Sequence, residues 1–172
     1  MNKKDIKKSI KEYLPYVIII IVVILIRTFL FTPIKVNGTS MYPTLEPNYF
    51  MILNKIGLNK GLNRWDIVVV KENKKYIIKR VIALPGESVA YIDGMLYINK
   101  REVKDNYSLS KTNDFSEIYL KDNEYFVMGD NRAVSADSRM IGPVNKDEII
   151  GKTSFVFFPF NKMGNVKWMH IY

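Results

Sequence analysis

The chain has 172 residues, 48% of them apolar, no cysteine and one histidine, His170, close to the C-terminus. Thiol chemistry and disulfides are excluded, a Ser-His-Asp triad is a poor fit, and the length sets a prior of roughly one domain. A formal charge of +9, from 26 Lys+Arg against 17 Asp+Glu, suits either nucleic acid or an anionic membrane surface.

The first segment separates the two. Residues 1–13 form a polar lead with Lys3, Lys4, Lys7, Lys8 and Lys11, followed by the apolar run Leu14 to Ile26, then Arg27 and a second apolar piece, Thr28 to Ile34. Leu14 to Ile34 would make a helix of about 30 Å, the thickness of a bilayer core. Pro15 falls in the first turn of such a helix, where a missing N–H costs little, and Arg27 is near enough to the outer end to snorkel. Thr28 to Pro33 contains no small-x-small cleavage site, so the segment is expected to stay as an anchor rather than leave as a cleaved leader. Val17 to Ile26 is apolar all round and suits lipid. The lysines place the N-terminus in the cytoplasm and residues 35–172 outside, and a chain without cysteine is compatible with that location. The densest basic cluster is this lead, so lipid is an expected partner and nucleic acid is not.

Beyond the anchor the pattern turns to β. Met51 to Leu53, Asp66 to Val70, Tyr76 to Leu84, Val89 to Ile92, Met95 to Ile98, Glu124 to Met128 and Thr153 to Phe158 are β-branched or aromatic runs separated by Gly, Pro, Asn and Asp. Asp93-Gly94 between two such runs predicts a hairpin. The expectation is a mostly β domain over 35–172. Its most polar stretch, 99–123, reads as a surface excursion or small insertion.

Three stretches carry chemistry. In Gly38-Thr39-Ser40-Met41-Tyr42-Pro43-Thr44-Leu45, Pro43 fixes the turn after Ser40, and Met41 and Leu45 suit an apolar floor. In Tyr76 to Glu87, strand alternation puts Lys79 on the face of Ile77 and Val81 and turns Arg80 the other way. A lysine among apolar neighbours is costly unless neutral or paired, and its desolvation lowers the pKa toward that of a general base. A serine can be activated by such a lysine. The third stretch, Gly129-Asp130-Asn131-Arg132-Ala133-Val134-Ser135-Ala136-Asp137-Ser138-Arg139, is a polar loop in which Asp137 can pair with Arg139 and Asp130 with Arg80. It lacks the carboxylates and histidines of a metal site. Alone, each stretch is also compatible with an ordinary turn, an edge-strand lysine and a solvated loop.

In this order behind an anchor, Ser40 to Leu45, Arg64-Trp65-Asp66-Ile67-Val68, Lys79 to Glu87, Gly129 to Arg139 and Gly142-Pro143-Val144 resemble the type I signal peptidases of bacteria. The resemblance covers nearly the whole chain. It implies a signal-peptidase-type catalytic β-domain behind a single N-terminal transmembrane helix. The implied enzyme is a membrane-bound serine endopeptidase that cuts signal peptides from exported preproteins after Ala-x-Ala-like sequences and needs no cofactor; separately, the chain is expected to act as a monomer in the membrane. By the same resemblance Ser40 is the nucleophile, Lys79 the general base and Ser135 the group orienting that lysine. Arg80, Asp130, Asp137 and Arg139 hold the site, and Ile34, Val36 and Ile78 line shallow pockets. A serine that some members place two residues before the nucleophile is Gly38 here, so a second oxyanion donor would come from a backbone group, a water or Thr39. A non-catalytic β-domain that binds a partner, and a self-cleaving Ser-Lys protease, are the other classes compatible with these residues.

Overall fold

The structure, a computed structural model, describes residues 3–29, 31–56, 58 and 61–166, and side chains for 11–25, 32–56, 58 and 61–166. His170 and the Arg27 side chain lie outside these residues. Helix α1 runs from Lys3 to Phe29. It starts inside the lysine lead, because Lys, Glu and Leu are good helix formers, and Pro15 therefore lies within the helix and not in its first turn. The helix expected to run to Ile34 ends at Phe29, and Phe31–Lys35 is strand β1. Pro33 accounts for this, since proline ends a helix but is tolerated on an edge strand. Among the described residues no helix is long and apolar enough to cross a membrane. Leu14 and Tyr16 to Leu25 nonetheless all lie exposed on α1.

The remaining strands are β2 (Phe50–Asn54), β3 (Ile67–Glu72), β4 (Lys75–Ala83), β5 (Ser88–Ile92), β6 (Met95–Ile98), β7 (Arg101–Val103), β8 (Phe115–Tyr119), β9 (Glu124–Met128), β10 (Val144–Asn145), β11 (Ile149–Phe158) and β12 (Gly164–Asn165). A short helix, α2, covers Ser138–Ile141. One sheet has the order β1-β2-β11-β3-β4-β9-β10, with β12 beside β11, and a second has the order β7-β6-β5-β8. The β5–β6 hairpin turns on Asp93 and Gly94 at φ 53° and 77°, the left-handed pair that a type I′ turn requires.

The 99–123 stretch supplies β7 and β8 to the second sheet, and Thr112 and Leu120 within it are buried. One apolar cluster joins the two sheets, with Ile82, Ala83, Phe126 and Met128 meeting Val89, Tyr91, Leu96 and Ile98. A second packs Val36, Met41 and Leu45 against Met51, Ile67 and Val156, giving the turn around Ser40 its apolar floor. A third, around Val68, Val70, Val81 and Val127, lies on the Lys79 side of β4.

Two of the open edges of the first sheet lie near the Ser40 turn and Lys79. Strand β1 pairs only with β2, and Lys75 to Lys79 of β4 pair only with β3, because pairing to β9 starts at Arg80 opposite Met128. The sheet curves so that β1, β2, β3, β4 and β11 all contribute to one concave cleft, through Ile34, Leu53, Val69, Ile78 and Ile150.

Candidate active site

Ser40 and Lys79 line one cleft of about 150 Å³, together with Val36, Gly38, Met41, Ile77 and Ile78. Lys79 stands opposite Val68 in the β3–β4 register and is 3% exposed. Burial pushes its pKa below the ordinary lysine value, outweighing the opposing attraction of Asp137, Glu72 and Asp130. A lysine whose charged form is penalised in this way gives up its proton more readily than a free one and can serve as a base. Ile78 and Val36 share this cleft, while Ile34 lies in the larger adjoining one, which Ile78 also borders.

The polar loop that follows β9 is held against the Ser40 turn. The Asn131 backbone N–H donates to the Ser40 carbonyl at 3.0 Å, and Asn131 Nδ2 donates to the Thr39 carbonyl at 3.3 Å. Gly129 lies at the junction: a Cβ there would overlap both Ser135 Oγ and the Ser40 carbonyl oxygen. The Ser135 hydroxyl is buried and makes no hydrogen bond of good geometry, although its proximity to Asp137 helps keep that carboxyl acidic. Burial alone would raise the Asp137 pKa; hydrogen bonds from Arg139 and the Gly129 N–H, with the nearby Ser135 hydroxyl and the Arg139 charge, reverse the shift and hold it low.

Both ion pairs drawn from the sequence form. Arg80 grips Asp130 with Nε to Oδ1 at 2.8 Å and Nη2 to Oδ2 at 2.6 Å, and donates to the Trp65 carbonyl at 3.0 Å. Arg139 grips Asp137 at 2.8 and 2.9 Å and donates to the Arg132 carbonyl at 2.8 Å. Paired forks of this kind fix geometry as well as charge. On the far side of Arg80 the Tyr107 ring lies 3.7 Å from the guanidinium carbon. Tyr107→Leu should lower stability by about 1–2 kcal/mol, the range for a desolvated cation–π contact, in thermal unfolding, and Tyr107→Phe should restore most of it.

A second buried arginine, after Arg80, has no role in the sequence reading. Arg132 donates to the Gly129 carbonyl, to Tyr91 Oη at 2.6 Å and Thr112 Oγ1 at 2.8 Å, and pairs with Asp105. It ties the site loop to the second sheet. Desolvation drives the Tyr91 hydroxyl pKa up to about 12 despite the nearby guanidinium. The signal for this network is Asp105, in the stretch whose polarity suggested solvent.

Comparison with known proteins gives the site its context. Residues 9–158 match the model of the family described as signal peptidase, peptidase S26. Signal peptidase I T and signal peptidase I S of Bacillus subtilis (strain 168) are each 40% identical to the chain, covering 96% and 91% of it and 96% and 94% of their own lengths. A solved signal peptidase I from Enterococcus faecalis V583 is 34% identical, with a TM-score of 0.49, over 53% of this chain and 95% of that one. The chain belongs to the signal peptidase family, peptidase S26. It is a serine endopeptidase, a hydrolase of signal-peptide processing.

Proposed function

We propose that this peptidase works through a Ser40–Lys79 dyad and cuts preproteins after small residues at the first and third positions before the bond. The observation that carries the reading is the shared cleft of Ser40 and a lysine buried in an apolar strand. Neutral Lys79 Nζ takes the proton of Ser40 Oγ, which attacks the scissile carbonyl. The resulting ammonium protonates the departing amine, and water deprotonated by Lys79 then releases the acyl-enzyme. The Ser40 N–H faces the developing oxyanion, and Gly38 adds no side-chain donor. Ser135 orients Lys79, while the Arg80–Asp130 and Arg139–Asp137 pairs hold the two loops in register.

Substrate lies extended along the open edges of β1 and β4, adding main-chain hydrogen bonds. Ile34, Val36 and Ile78 form pockets that admit small side chains. Helix α1 serves as a single-pass anchor, supported by its exposed apolar run and the lysines before it; a short span is accommodated by local thinning of the bilayer. This places the N-terminus in the cytoplasm and the β-domain outside, acting as a monomer on lipid.

The test is cleavage of a peptide bearing Ala-x-Ala, with the cut bond and the acylated side chain located by mass spectrometry. Cleavage after the second Ala with the acyl group on Ser40 is the expected outcome. Leu in place of that Ala should lower kcat/KM by about 10²-fold. Equal cleavage of both peptides sinks the pocket assignment, and an acyl group elsewhere sinks the dyad.

A further inference from the structure

The larger cleft carries more charge than recognition of small apolar side chains needs. It measures about 630 Å³, with Leu53, Val69 and Ile150 among its apolar lining and Lys35 on β1 and Lys75 on β4, the two open-edged strands that bound it. Lys55, just past β2, adds a third lysine. Among its described lining residues there is no aspartate or glutamate. Lys35 and Lys75 are exposed; Lys35 lies 5.9 Å over the Phe50 ring, and Glu72 stands across from Lys75 in the strand register.

This cleft is continuous with the site. Lys35, Asn37, Tyr76 and Ile78 line both it and the cleft of Ser40 and Lys79, so one extended peptide can pass through the two. Lys75 precedes Lys79 by four positions on β4, about 13 Å along a strand. We propose that the lysine-bearing rim of the larger cleft, as distinct from the Ile34 and Ile78 lining assigned to the small-residue pockets, is a specificity site for carboxylate side chains, favouring Asp or Glu about four to six residues ahead of the cut bond and disfavouring Lys there. The inference rests on the dyad reading above. A peptide suits the site better than a lipid surface because the lysines border a concavity with an apolar lining, which a strand can enter and a flat headgroup layer cannot.

The test uses the full chain in neutral detergent and three peptides that share an Ala-x-Ala cut and differ only in Asp, Asn or Lys about five residues before the bond. At low salt kcat/KM should fall from Asp to Asn to Lys, about tenfold from first to last. The ratio should shrink at high salt and flatten in the double variant Lys35→Gln, Lys75→Gln; the ratio is the readout, whatever the absolute rate of the variant. If the three peptides are cut alike, or their order survives in the variant, the proposal falls while the peptidase reading stands. If the Asn peptide is not cut, or is cut as well by Ser40→Ala, both fall together. If the unaltered protein cuts the three peptides alike and the double variant loses binding to phosphatidylglycerol vesicles, the lysines belong to lipid and the proposal is overturned.

Discussion

Lys79→Met is expected to lower kcat/KM by at least about 10⁴-fold, the scale of losing one member of a catalytic unit, and to leave the protein as stable as before or more so. The two halves have one cause. Lys79 is buried among Ile77, Val81 and Val68, where its charged form is penalised and its pKa lowered; a methionine of similar length fills the same space without that penalty. The gain should fall between nothing and about 2 kcal/mol. The pH dependence has a definite sign. Below its folded pKa the lysine is protonated in folded and unfolded chains alike, and the full cost of burying the charge is present. As pH rises through that value toward the ordinary lysine pKa near 10.5, the folded state sheds its proton first, so stability increases. Cleavage should climb over the same interval, since only the neutral amine accepts the Ser40 proton. Thermal melts and single-turnover cleavage from neutral to alkaline pH would check both; a variant that still cuts, or one that unfolds more readily while cleavage in the unaltered protein ignores pH, contradicts the assignment.

Gly129→Ala should also be severe, for a steric reason. The added methyl would overlap Ser135 Oγ and the Ser40 carbonyl oxygen at once. The hydroxyl can rotate away; the carbonyl belongs to a turn fixed by the Asn131 N–H and by the packing of Met41. Overpacking against backbone costs about 2–4 kcal/mol. The displacement should also lower cleavage by about 10²-fold or more, because small misplacements of reacting groups are expensive. Gly38→Ala is the control, since a Cβ there meets nothing within 4 Å. Unfolding and peptide cleavage of the two variants should diverge sharply; equal behaviour would remove Gly129 from the site's support.

Much of this arrangement was legible in the chain because it depends on local alternation. The seven apolar runs fall on β2, β3, β4, β5, β6, β9 and β11, and the period of two alone turns Lys79 and Arg80 to opposite faces. What could not be read locally depends on partners distant in sequence. Phe31 and Ile34 suit a membrane span as well as a strand, and it takes Pro33 together with the pairing to β2 to make this segment an edge strand. Asp105 and Thr112 look like solvated loop residues because their burial comes from Arg132, 27 and 20 positions away. Polar burial has no periodicity, so hydrophobic patterning is blind to it. Gly129 likewise reads as an ordinary turn glycine until the fold brings Ser40 and Ser135 to its α-carbon.

The open edges of β1 and β4 bear on the fidelity of cutting. A substrate seated between them as an added strand is held by a ladder whose side chains alternate, so the residues one and three places before the bond share a face and the residue between them points away. Sliding by a single residue would turn every side chain to the wrong face. Misplaced cuts would then fall two residues from the correct bond. In the proposed binding mode the spacing of the strand would act as a ruler with a two-residue graduation, and a preprotein with small residues at every second position would be the hardest to process at one place.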